Sequence, residues 1–223
     1  MREPLRREGP AHVLQQELPT SLTKGTIVDL ETTDLTPSRG GVICIGTIRS
    51  STLEIRTRAR DAKFRSFYDS LKGFVRDLPR PFYAYNASFD AKFLRSFLGY
   101  GKKELVVDLF EPWRSRAEVL NLKWPSLDEL VTGPFDELPR DPGRDVDRDI
   151  VLPLGALRED EEAWLRRGRH ERIPRRVRRV TGKEIPALWK RYVERDDLAA
   201  LDDIVLHNRQ DLLKALALLL FLE

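Results

Sequence analysis

The segment Val28-Asp29-Leu30-Glu31-Thr32-Thr33 places two carboxylates two residues apart inside an apolar stretch. Residues 26–31 are predicted to form a buried strand by their β-branched content and length, and period 2 then puts Asp29 and Glu31 on one face near its end. Two like charges there repel and are costly to desolvate unless something positive sits between them. A hard cation such as Mg²⁺ or Mn²⁺ takes carboxylate oxygens and keeps waters, which suits the pair. The plain alternative is an acidic pair on a solvent-facing edge, which the apolar flanks Ile27-Val28 and Leu30 fit poorly. A third acid, Asp90, follows in Tyr85-Asn86-Ala87-Ser88-Phe89-Asp90, where a strand is expected to end and a helix to begin. There Asp90 either complements the helix dipole or joins a site at a strand's carboxyl end. A fourth, Asp211, closes His207-Asn208-Arg209-Gln210-Asp211 inside an apolar helix, and i, i+4 spacing puts His207 and Asp211 on one face.

Taken together and in order, these segments resemble the three exonuclease motifs of the DEDD superfamily: Asp-x-Glu, Asn-x₃-Asp, and a His or Tyr followed by Asp. More narrowly they resemble the YprB-type ribonuclease H-like domain, with Gly182-Lys183-Glu184-Ile185-Pro186 through Tyr192 leading into the third motif. The resemblance spans about residues 25 to 222. Within it, residues 132–169 match nothing in the family pattern. His-type members usually place four residues between His and Asp; here there are three, the spacing of the Tyr type.

The resemblance implies an α/β fold, a ribonuclease H-like mixed five-stranded sheet whose second strand is antiparallel, flanked by helices. It implies two divalent cations, Mg²⁺ or Mn²⁺, held by Asp29, Glu31, Asp90 and Asp211, with Asp29 bridging both, Glu31 and Asp211 on one, and Asp90 on the other. His207 would act as general base, and Thr32, Thr33 and Asn86 would touch the substrate. The implied reaction is 3′→5′ exonuclease hydrolysis of single-stranded DNA or RNA by a two-metal mechanism. Two other readings stand beside it: a structure-selective endonuclease on the same fold, and a nucleic-acid-binding module without turnover.

The elements that must position these residues can be read from periodicity. Strands are expected over 26–31, 42–49, 52–58, 81–85 and 104–109, and helices over 61–77, 87–98, 186–195 and 198–222. Residues 113–131 are expected to be helical in pieces broken by Pro125, 133–153 to be a loop, and 156–168 a further helix. Three strands in succession and then alternation predict a mixed sheet covered on both faces. Residues 1–23, with Pro4, Pro10 and Pro19, are expected to be an extension whose one helical option is 11–18. The domain would then run over 24–223, with a charged insertion at about 132–183.

Composition narrows the class. The 223 residues suffice for one domain with a real core. The one cysteine, Cys44, lies in an apolar run, so neither a disulfide framework nor a Cys/His zinc site is available, and a cytoplasmic setting is expected. The longest apolar run, 215–222, is far short of the ~20 residues that span a bilayer, and residues 1–23 lack an apolar signal core. Net charge is only +3, but residues 166–183 hold nine basic side chains (Arg166, Arg167, Arg169, Arg172, Arg175, Arg176, Arg178, Arg179 and Lys183) against Glu171. That block could meet a phosphate backbone or could be an ion-paired surface beside the acids of 159–162, and Arg175, Arg176, Arg178 and Arg179 are its candidate substrate contacts. Of the tryptophans, Trp124 and Trp189 read as core and Trp164 as exposed. Arginine far outnumbers lysine, and Asn, Gln, Cys and Met are scarce, which is expected of a heat-loving source and would be contradicted by melting below about 60 °C. Oligomeric state leaves no mark in the sequence.

Overall fold

A computed structural model describes residues 5–18, 21–98, 106–119, 126–127 and 180–222. Seven strands form one sheet among the described residues: β1 (Arg6–Glu8), β2 (Ala11–Glu17), β3 (Thr26–Thr32), β4 (Val42–Arg49), β5 (Thr52–Arg58), β6 (Phe82–Ala84) and β7 (Val106–Asp108). Their order across the sheet is β1-β2-β5-β4-β3-β6-β7. The pairs from β1 to β3 are antiparallel, and β6 and β7 continue from β3 in parallel. The described helices are α1 (Phe64–Arg76), α2 (Ala87–Leu98), α3 (Glu111–Val119), α4 (Ile185–Arg195) and α5 (Leu198–Leu222).

The central strands are buried on both faces, as near-continuous apolar sequence requires. Ile27 faces a core built with α4 and α5, including Trp189, Tyr192, Leu212 and Leu216. Its neighbours Val28 and Leu30 face the opposite core, with Phe67, Leu71 and Val75 of α1 and Phe93 of α2. Strand alternation therefore turns Asp29 and Glu31 toward the face that α5 covers. Helix α5 is fixed there by Leu212, Leu213, Leu216 and Leu218, all buried, each worth about 1.5–3 kcal/mol of burial. Its start is set locally. Asp196 takes a left-handed conformation (φ 53°) that ends α4, and the Asp197 carboxylate caps α5 by accepting from the Ala200 N–H at 3.1 Å.

Two expectations from sequence are corrected. Residues 6–17 are not an extension with a helical option; they are β1 and β2, and β2 pairs with β5 from Ala11↔Arg58 to Glu17↔Thr52. Without them β5 would be an unpaired edge, and that tertiary demand outweighs the weak local propensity of Gln15 and Gln16. Among the described residues the sheet accordingly has seven strands rather than five, while the antiparallel second strand of the expected five is β4. The expected helices over 61–77, 87–98, 186–195 and 198–222 correspond to α1, α2, α4 and α5. Helix α3 covers the start of the region expected to be helical in pieces. The loop at 133–153, the helix at 156–168, Trp124, Trp164 and the basic block up to Arg179 lie outside the described residues. Trp189 is buried as expected. Cys44 is fully buried beside the Thr57 hydroxyl, which donates to its Sγ at 3.3 Å, and burial pushes the thiol well above its ordinary range. Among the described residues no helix is long and apolar enough to cross a membrane.

Candidate active site

A cavity of about 630 Å³ opens at the carboxyl end of β3, and Asp29, Glu31, Asp90, His207 and Asp211 all line it. Three distant parts of the chain converge here. Strand β3 contributes Asp29 and Glu31, and its pairing with β4 slips in register between Glu31 and Thr32, so that the ladder ends at the cavity. The turn after β6 puts Asn86 in the left-handed region (φ 54°) and starts α2, whose first turn holds Asp90. Helix α5 brings His207 and Asp211 over the sheet.

The electrostatics follow from burial. Desolvation, with Asp211 and Asp90 nearby, pushes the Asp29 carboxyl well above its ordinary range, while Lys214 and the Asn208 amide pull it back. Glu31 is raised in the same way, by desolvation first and then by Asp29, Asp211 and Asp90. Asp90, 3% exposed, is raised to about 8, chiefly by burial, against backbone N–H groups of Asp90 and Leu30 that favour its charged form. Asp29 still touches solvent along the cavity; its carboxyl is nevertheless walled by protein where the charges meet. His207 Nε2 stands between two carboxylates, 3.8 Å from Glu31 Oε1 and 3.7 Å from Asp211 Oδ2. The three-residue spacing to Asp211 thus still delivers the imidazole to the acids.

Asn208 and Lys214 are further site residues that the sequence reading did not single out. The Asn208 amide donates to Asp29 Oδ2 at 2.6 Å and to the Asp29 carbonyl at 3.2 Å. Lys214 donates to Asp211 Oδ1 at 2.8 Å. Both lie on α5 at helical spacing from Asp211, and that spacing was the available signal. Thr32 lines the cavity, but its hydroxyl donates to the Asp34 carbonyl. Thr33 pins the neck of the following loop by a pair of bonds with Gly41 and is not among the lining residues. Asn86 is exposed at the cavity, and its side-chain oxygen accepts from Ser88 Oγ at 3.1 Å. Of the basic block, Lys183 is exposed on the cavity wall; Arg175, Arg176, Arg178 and Arg179 lie outside the described residues.

The donor set suits a hard divalent cation: carboxylate oxygens, mutually repelling and desolvated, with Asp90 Oδ1 buried and without a hydrogen-bond partner. Among the described residues no three acid, imidazole or thiol side chains already form an arrangement that could hold a metal ion as they stand. In this arrangement Asp29 is hydrogen-bonded to Asn208 and Asp211 to Lys214. A cation bound here would have to draw the carboxylates together and displace protons.

A pH dependence follows. At pH 7 the native state keeps a proton on Asp90 that the unfolded chain, with an aspartate pKa near ~3.9, has released. The Asp90 contribution to the stability of the metal-free protein should consequently fall as pH rises toward about 8, and Asp29 and Glu31, raised in the same sense, should make stability fall further. Asp90 alone contributes a slope of about 1 kcal/mol per pH unit between pH 6.5 and 7.5, so the measured slope should be at least that steep. His12, held below its ordinary value by burial, acts in the opposite sense but only below about pH 6.5. Urea melts in EDTA across pH 6.5–9 measure this, and a flat or rising profile would show that Asp90 is ionised throughout.

A family model described as RNase_H superfamily matches residues 170–221. No curated protein matches the chain. With the mixed sheet, the match supports a ribonuclease H-like α/β fold and suggests a nuclease type of enzyme. The matched stretch contains His207 and Asp211; Asp29, Glu31 and Asp90 lie outside it and meet those residues through the fold.

Proposed function

We propose that this protein is a divalent-metal-dependent nuclease that removes nucleotides from the 3′ ends of single-stranded DNA or RNA. The observation that carries the reading is the convergence of four acids, from β3, α2 and α5, on one cavity where at least three of them resist ionisation without a cation. Asp29, Glu31, Asp90 and Asp211 would hold two ions, Mg²⁺ or Mn²⁺. Bound there, such ions supply a water acidified toward neutral pH and charge neutralisation at a phosphoryl group.

The remaining work falls to the chain. His207, between Glu31 and Asp211, is placed to take a proton from the attacking water on Nε2. Lys183, exposed on the cavity wall, meets the incoming phosphate backbone as a point charge. Asn208 holds the Asp29 carboxylate in place through Oδ2. Replacing His207 by alanine should lower the cleavage rate about 10²–10⁴-fold and leave metal affinity largely intact. Single-turnover rates beside Mn²⁺ titrations test this, and an unchanged rate would remove His207 from the chemistry.

The test of the reading as a whole is a gel time course with Mg²⁺ or Mn²⁺ on 5′-labelled single-stranded DNA and RNA, with free and blocked 3′ ends. A ladder that shortens only from free 3′ ends is expected. Internal cuts on blocked strands would replace the exonuclease with an endonuclease. Binding without any product would leave a nucleic-acid-binding module.

A further inference from the structure

Lys214 is a lysine buried to 3% exposure in the cavity that gathers Asp29, Glu31, Asp90, His207 and Asp211, whereas the other lysine on its wall, Lys183, is exposed. Burying an ammonium is unfavourable unless an anion meets it. Here the anion is Asp211, with Nζ to Oδ1 at 2.8 Å. The two residues are three apart on α5, so helix geometry keeps the ammonium within reach of Asp211 when nothing else occupies the cavity. Lys214 also exerts a favourable field on Asp29 across the site. Its charge therefore opposes any cation that approaches from the Asp211 side, and much less one approaching Asp90, which lies on α2.

We propose that Lys214 is a resident counter-ion that holds the place of one divalent cation at Asp211 and makes the two cations load in order. The end of the site formed by Asp29 and Asp90 loads first. The end formed by Glu31 and Asp211 loads second, and only as the ammonium gives up Asp211. This rests on the metal-dependent reading above. In the metal-free arrangement the protein thereby satisfies Asp211 internally.

The test is calorimetric titration of Mn²⁺ into the intact, metal-stripped protein and into Lys214→Met, Lys214→Arg and Asp211→Asn. The wild-type protein should show two classes of site at least about tenfold apart. Lys214→Met should tighten the weaker class at least about tenfold, which is 1.4 kcal/mol, and leave the stronger within about threefold. Lys214→Arg should retain the wild-type pattern, and Asp211→Asn should delete the weaker class alone. Melting in EDTA is a second readout that does not depend on titrating a marginal fold. Lys214→Met should melt lower than wild type without metal and gain more from saturating Mn²⁺. A weaker class unchanged in Lys214→Met, or two equal classes in the wild type, would overturn the Lys214 role and leave the metal site standing. Failure of the wild-type protein to bind Mn²⁺ at all would overturn both.

Discussion

Replacing Asp29 by asparagine should abolish metal-dependent cleavage and, in the same molecule, raise the melting temperature of the metal-free protein at pH 9. The loss of activity should be at least about 10³-fold, beyond the 10–100-fold typical of removing a partner that merely orients a ligand. The gain in stability follows from the same residue. Asp29 is desolvated and faces Asp211 and Asp90, so its charged form is strongly disfavoured. An asparagine oxygen still accepts from the Asn208 amide, as Asp29 Oδ2 does at 2.6 Å, but carries no charge to bury. A gain of about 1 kcal/mol, or some 2–4 °C for a domain of this size, is the expected scale. Cleavage assays and melts in EDTA on one preparation read both effects. Lost activity with lowered stability would mean that Asp29 is structural, and retained activity would discard the site.

Gly46→Ala should be nearly as damaging, although residue 46 carries no chemistry. Gly46 sits on β4 directly opposite Asp29. A Cβ there would overlap the Asn208 side chain and stand 2.5 Å from Leu212 Cδ1. Neither group can step aside freely: Asn208 is tied to Asp29, and Asn208 and Leu212 are both fully buried between α5 and the sheet. The helix that carries His207, Asp211 and Lys214 must move outward instead. Overpacking of this kind costs about 1–3 kcal/mol. A displacement near 1 Å at the site is enough to lower the rate about 10²-fold. Single-turnover cleavage well below the variant's melting point separates misplaced chemistry from unfolding. A variant with wild-type rate and melting temperature would show that α5 does not rest on the glycine backbone.

Much of the candidate site is written in local sequence. Alternation along 26–32 dictates that Asp29 and Glu31 share a face, and i, i+4 spacing dictates the same for His207 and Asp211. Those are short-range consequences of backbone geometry, and they hold in almost any fold that keeps the strand and the helix. Helical periodicity likewise outlines α1, α2, α4 and α5. What the sequence could not decide are the relations between segments far apart in the chain. Residues 6–17 became strands because β5 needed a partner, a demand that local propensity does not register. Gly46, Asn208 and Lys214 acquire roles only when α5 packs across β3 and β4, because their significance is a contact distance and not a residue type. The same packing turns four separate carboxylates into one site, since repulsion and desolvation act through space, and it is tertiary structure alone that brings residues 29, 90 and 211 within reach of one another.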